Sequence, residues 1–245
     1  MRYRFVTALL VLCATCSFAA DQEPKKDSKP DPKADKAGWR PLFDGKTLKG
    51  WKVTEFGAHG TPAVEDGSIV LPIGEPLSGV TREKDDIPKV NYEIALEAQR
   101  LEGHDFFLGL TFPVNDSFAS LILGGWSGGV CGISSIDGMD ASANSTTSFR
   151  KFEDNKWYKV RLRVEANRLQ AWLDDEQIAD ADTTDKRISI RVEVSPSKPL
   201  GIATYMTKGA YRDIRIRELT PEETGSKPAD AGKDPEENRT EKKAR

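Results

Sequence analysis

The run Trp157-Tyr158-Lys159-Val160-Arg161-Leu162-Arg163-Val164-Glu165 alternates apolar and charged side chains without a break. Tyr158, Val160, Leu162 and Val164 share one side, and Lys159, Arg161, Arg163 and Glu165 the other. A period of two is that of an extended strand with one face on a core and one in water. Ala166-Asn167 follows, and then Arg168-Leu169-Gln170-Ala171-Trp172-Leu173 alternates again, so the pair reads as an antiparallel hairpin. The same signal recurs in Tyr92–Glu97, in Ile188, Ile190, Val192 and Val194, and in Ile214 and Ile216. Asp66-Gly67 between Ala63-Val64-Glu65 and Ser68-Ile69-Val70-Leu71 is the dipeptide that a two-residue type I′ turn prefers. No stretch of helical length shows a helical period. The expectation is an all-β chain, a two-sheet antiparallel β-sandwich of jelly-roll type.

Outward from that core the composition changes sharply. Residues 1–20 carry Arg2 and Arg4, then the apolar run Phe5 to Leu12, then small residues around Ala19. This is the pattern of a secretory signal, so the protein is expected to be exported to the periplasm, the cell surface or the medium. Cys13 and Cys16 fall inside it; Cys16 as a lipid anchor is the competing reading, against a poor flanking match. The mature chain then keeps Cys131 alone, which excludes an internal disulfide. Residues 21–37 and 221–245 are rich in alternating charge and hold no large aliphatic side chain, so both are expected to be disordered spacers. One domain is left, from Gly38 to Thr220.

With a formal net charge of -3 over 245 residues, the chain has no basic excess to attract nucleic acid. No apolar run after the signal could span a bilayer. The expected partner is a neutral sugar or glycan, met by a monomer.

The opening Gly38-Trp39-Arg40-Pro41-Leu42-Phe43-Asp44-Gly45-Lys46-Thr47-Leu48-Lys49-Gly50-Trp51 resembles the signature of the 3-keto-disaccharide hydrolase domain family. Val64-Glu65-Asp66-Gly67, Asn91-Tyr92-Glu93-Ile94 and the closing Tyr211–Leu219 are similar to later strands of that family, so the likeness spans nearly the whole core. The resemblance implies a concanavalin A-like sandwich and cleavage of disaccharides already oxidised to a ketone at C3. Such a ketone acidifies the C2 hydrogen, and a base that removes it can expel the C1 substituent. The middle of the chain departs from the family pattern: Gly103-His104-Asp105-Phe106-Phe107 stands where an Asn-Ser-Gly step is common. The Trp157–Asp175 hairpin looks more like a laminin-G module, which supports a non-catalytic glycan binder as the second reading.

Candidate site residues follow from chemistry. His104 and Asp105 are candidate proton-transfer groups, His because it titrates near neutrality; a solvated turn is the plainer reading. Arg191 and Glu193, two apart on an expected strand, could hold a keto oxygen and take a proton, or form an ordinary surface ion pair. Trp126, set among Gly124, Gly125, Gly128 and Gly129, and Trp172, on the polar side of its strand, are candidate sugar platforms. Either indole could instead be ordinary packing. Tyr205 completes the expected substrate-binding set with Arg191. Asp137, Asp140 and Asn144 offer clustered oxygens for a possible calcium ion, or plain turn chemistry.

Overall fold

The computed structural model describes residues 34–58 and 60–225; the expected signal, most of the first spacer and residues 226–245 lie outside the described residues. Among the described residues fifteen strands, all paired antiparallel, form two sheets. In chain order they are β1 (Arg40–Pro41), β2 (Trp51–Val53), β3 (Ala63–Glu65), β4 (Ser68–Leu71), β5 (Leu77–Arg82), β6 (Tyr92–Gly103) and β7 (Leu108–Val114). There follow β8 (Ser117–Gly124), β9 (Val130–Ser134), β10 (Ser148–Phe149), β11 (Trp157–Glu165) and β12 (Arg168–Leu173). The last three are β13 (Glu176–Asp182), β14 (Gly201–Tyr205) and β15 (Thr207–Glu218). One sheet runs β13-β12-β11-β6-β15-β4-β3, with β1 also on β15; the other runs β10-β9-β8-β7-β14-β5-β2. The expected sandwich is therefore what the chain forms.

The alternation read from the sequence maps directly onto burial. Tyr158, Val160, Leu162 and Val164 of β11 are in the core, packed with Ile94 and Leu96 of β6 and with Ile214 and Ile216 of β15. From the other sheet come Leu110 and Phe112 of β7, Leu121 and Leu123 of β8, and Ile202 of β14. Each such aliphatic or aromatic side chain contributes about 1.5–3 kcal/mol when fully removed from water. Polar atoms that enter the core are partnered where they belong to the large tyrosines: the Tyr92 hydroxyl donates to the Pro113 carbonyl at 2.6 Å, and that of Tyr211 to the Phe107 carbonyl. Cys131 lies fully buried in the same core, where desolvation pushes its thiol up to about 11. It packs as a small hydrophobe rather than as a reactive group.

Asp66 and Gly67 both take positive φ, 46° and 76°, between β3 and β4, as the type I′ turn demands. The signature at the chain's opening is also structural. The Asp44 carboxylate accepts from the Lys46 and Thr47 amides and the Thr47 hydroxyl, which hold it down at about 2. Leu42 and Phe43 are buried, and the Trp51 indole donates to the Leu42 carbonyl at 2.9 Å.

Two expectations are corrected. The segment Ile188–Val194 is not a strand. Ile188 makes one isolated bridge to Ile136 and Ser189 exchanges both bonds with Ser135, and the chain then turns into a 3₁₀ helix at Val192–Ser197 that contains Pro196. A proline has no amide to add to a ladder but fits a short turn. Residues 221–225, expected within the disordered second spacer, are instead ordered. They form a turn on the sheet, where Glu223 accepts from both Arg217 Nη atoms, at 3.0 and 2.7 Å, and its carbonyl accepts from Arg163 at 2.6 Å. Among the described residues no helix is long and apolar enough to cross a membrane.

Candidate functional site

The seven-stranded sheet turns its large residues inward, so its outer face keeps what is left by the period of two. That remainder is small: Gly109 and Thr111 on β7, Ser120 and Ile122 on β8, Ser134 on β9 and Ala203 on β14. The Thr111 and Ser120 hydroxyls are 3.1 Å apart and form one hydrogen bond. Covering segments occupy both flanks of this floor. A Cβ on Gly79 would meet the Phe56 ring at 2.8 Å, one on Gly201 would meet the Ser197 carbonyl at 2.6 Å, and one on Gly132 would meet the Thr146 carbonyl at 3.0 Å. Between the flanks a pocket of about 450 Å³ stays open.

Ser120, Ile122 and Ser134 form its floor. Phe106 and Tyr205 form one aromatic wall, with ring centroids 5.8 Å apart, tied by the Tyr205 amide donating to the Phe106 carbonyl. Trp126 stands on the rim of the same pocket, 43 % exposed. Its turn, Gly125–Gly128, is held against conformational preference: Trp126 and Ser127 have φ of 50° and 69°. A left-handed non-glycine residue costs about 1–2 kcal/mol, so something must hold the turn. Asp105 does. One carboxylate oxygen accepts from the Ser127 amide at 3.0 Å and the other from the Phe106 amide at 2.7 Å. Gly128 is required on the far side, since a Cβ there would come within 2.9 Å of the His104 carbonyl.

The charged side of the pocket is Arg191 with Glu193. The guanidinium grips Glu193 with two bonds, at 2.8 and 3.4 Å, and reaches Asp140 at 3.0 Å. The bond from Arg191 is the main reason the Glu193 carboxyl ionises below its usual range, and the same bond raises Arg191. The pair forms within the segment that enters the 3₁₀ helix, not on a strand face.

Of the residues singled out from sequence, Asp105, Trp126, Arg191, Glu193 and Tyr205 therefore meet in one pocket. His104 and Trp172 do not. His104 is exposed in the bend after β6 and is not part of the lining. Trp172 lies on the outer face of the other sheet, with the Arg161 guanidinium 3.6 Å above its ring. The three expected metal ligands are engaged elsewhere. Asp137 accepts from Lys186 Nζ and from the Arg187 amide, both at 2.9 Å, and Lys186 is the chief cause of its lowered pKa. Asp140 accepts from Ser142 and Arg191. Asn144 donates to three carbonyls and accepts from Thr146, so it staples its own loop. Among the described residues no three His, Cys, Asp or Glu side chains gather as a cation set.

Phe106, Ser120, Ile122 and Ser134 were missed from sequence. The alternation of β8 carried a signal for two of them, because Ser120 and Ile122 fall opposite Ala119, Leu121 and Leu123.

Several solved structures share this architecture. A candidate glycosyl hydrolase from Parabacteroides distasonis is 14% identical over 75% of this chain and 95% of its own, with a TM-score of 0.50. The Crh5 transglycosylase, solved with NAG, is 8% identical over 77% and 86%, also at 0.50. Domain 4 of the arabinanase AbnA from Geobacillus stearothermophilus, solved with arabinotriose, is 16% identical over 71% and 85%, at 0.47. The two at 0.50 speak to the fold alone. No curated protein matches the chain. The sequence model of one carbohydrate-related family covers residues 38–217, from the Gly38 turn to the end of the sandwich, and the chain belongs to that family, the 3-keto-alpha-glucoside-1,2-lyase-like domains.

Proposed function

We propose that this is an exported enzyme that cleaves the glycosidic bond of 3-keto-glucosides by 1,2-elimination, followed by addition of water. The observation that carries the reading is the meeting of an Arg–Glu pair with three aromatic rings over a hydroxyl floor, in a chain of this family. Aromatic walls suit the C–H faces of a pyranose, and the floor hydroxyls suit its neutral oxygens. In this reading Arg191 donates to the C3 ketone oxygen. Glu193 takes the C2 proton, the electron pair passes into an enolate held by Arg191, and collapse of the enolate breaks the C1–O bond. The leaving oxygen takes a proton from water, the hydroxide so formed takes the proton back from Glu193, and a second water adds across the C1–C2 double bond. Asp105 holds the Trp126 turn against the Phe106 wall, and His104 has no part in the proton transfer.

A second reading, a sugar-binding module without turnover, is favoured by one specific feature. Both lining carboxylates already have partners, Glu193 in an ion pair and Asp105 on two amides. The test is release of reducing sugar from 3-keto-trehalose and a 3-keto-glucoside, with unoxidised sugars as controls. The enzyme reading expects turnover of the keto sugars alone, and a fall in kcat of about 100-fold or more in Glu193→Gln, a size ordinary for loss of a general base. Saturable binding without turnover would establish the binding module instead.

A further inference from the structure

Of the seven large hydrophobic side chains exposed among the described residues, two line the pocket and two more adjoin its lining residues in the chain. Trp126 and Tyr205 line the pocket, at 43 % and 36 % exposure. Val192, the most exposed at 81 %, sits between the lining residues Arg191 and Glu193. Met206 follows Tyr205, and its amide donates to the carbonyl of Pro76, another lining residue. Single exposed apolar residues are ordinary, but a group of them around one opening marks a binding surface. The pocket is thus graded: hydroxyls and the Arg–Glu pair inside, apolar side chains around the mouth. Its floor cannot be extended sideways, because Phe56, Ser197 and the Thr146 loop lie over the glycines on either flank.

A ring seated on the floor beside Arg191 would place its C1 substituent at this apolar mouth. Resting on the elimination reading above, we propose that the mouth is an aglycone subsite selecting 3-keto-glucosides whose C1 substituent is aromatic rather than a second sugar. A sugar aglycone would bring its hydroxyls as well as its C–H faces against Trp126, Tyr205 and Val192, whereas an aromatic ring buries apolar area alone on them. The chemistry of departure agrees. The elimination above draws the leaving oxygen's proton from water, so the substrate best served is one whose C1–O electron pair leaves readily, and a phenolate does.

The test compares four 3-keto-glucosides of one anomeric configuration: phenyl, benzyl, methyl and glucosyl. Phenyl and benzyl share the apolar ring but differ as leaving groups, so KM reports the mouth and kcat the departure. The expected result is a KM at least about tenfold lower for phenyl and benzyl than for methyl and glucosyl. In the Val192→Ser, Met206→Ser double variant that gap shrinks to about threefold or less as the apolar area is lost. Equal KM values for all four, with turnover, would overturn the subsite and leave the elimination reading intact. If none is turned over, the elimination reading fails, and calorimetric affinities of the same four compounds decide the subsite. A preference for phenyl and benzyl would then uphold it, and equal affinities would overturn it. Concentration-dependent dimerisation abolished by Val192→Ser would also overturn it, because a second copy would then be the occupant of the mouth.

Discussion

The two sheets present opposite solutions to an exposed tryptophan. On the outer face of the eight-stranded sheet, Trp172, Trp157 and Trp39 each lie under a guanidinium: Arg161 at 3.6 Å, Arg212 at 4.1 Å and Arg215 at 5.0 Å. The same arginines bind carboxylates, Arg161 to Glu93 and Arg212 to Glu97. That face is a closed ionic lattice in which every indole already has a cationic lid. On the seven-stranded sheet the floor is small and nearly uncharged, and Trp126 rises beside it on a strained, glycine-flanked turn. An indole on a polar strand face is therefore poor evidence of a ligand site when arginines share the face. An indole held in an unfavourable backbone conformation, with its flanks fixed by glycine and aspartate, is better evidence.

The lattice should be the face where stability resides, and its centre is Glu93. Only 2 % of this residue is exposed, although it points away from the core, because Arg161, Arg163 and Arg217 close over it. Glu93→Gln leaves three guanidiniums facing an amide. Removing one partner of a buried ion pair costs about 3–5 kcal/mol, and these arginines still reach water, so the lower end of about 3 kcal/mol is expected. Urea unfolding measures it. Sugar affinity of the folded variant should not change; a loss of affinity would mean that the two faces are not independent.

The pocket should behave in the opposite way. Trp126→Ala removes a half-exposed ring, so the unfolding midpoint should move little, while affinity for a 3-keto-glucoside falls by about tenfold or more, equivalent to about 1.4 kcal/mol. Titration calorimetry checks it. Unchanged affinity would remove Trp126 from the site and erase the contrast.

These two faces also explain what was readable beforehand. Strand alternation is written by burial on one side, so β6, β11, β12 and the ends of β15 could be read from Tyr92, Tyr158, Leu169 and Ile214 onward. Arg191 and Glu193 form an ion pair but not a strand, because alternation in Ile188–Val194 says nothing about whether a neighbouring strand is there to pair, and pairing ends with Ile188 on Ile136 and Ser189 on Ser135. The family signature was legible for a related reason. Leu42, Asp44 and Trp51 are constrained by a turn and a core contact, not by chemistry. Site residues such as Phe106 and Ser134 carry no such local constraint, and only the closing of two sheets brings them together. The lid on Trp172 was not legible beside it in the chain, because Arg161 comes from the neighbouring strand β11.

A smaller effect concerns the edge of the lattice. Glu223 has its carboxyl held at about 2, chiefly by its hydrogen bonds from Arg217, against an ordinary value of 4.5. A depressed carboxyl stabilises the fold fully above its unfolded value and loses that contribution as pH falls through the folded one. The turn at 221–225 should therefore stay docked above about pH 4.5 and release on acidification towards about 2. Thermal unfolding across that window should be less steep in Glu223→Gln than in the wild type. Equal slopes would show that the turn adds nothing to the lattice.

The smallest effect should come from the residue that sequence made most conspicuous. Trp172→Ala deletes one cation–π contact on a partly exposed face, a loss of about 0.5–1 kcal/mol. Arg161 keeps its bond to Glu93 at 2.9 Å, so the lattice should hold together without the indole. Sugar affinity should be that of the wild type, because the ring belongs to the sheet opposite the pocket and its face is already occupied. Titration calorimetry on Trp172→Ala and Trp126→Ala in parallel turns the contrast between the faces into one ratio. A ratio near one would mean that a guanidinium lid does not disqualify an indole, since a sugar would then be displacing Arg161 from Trp172.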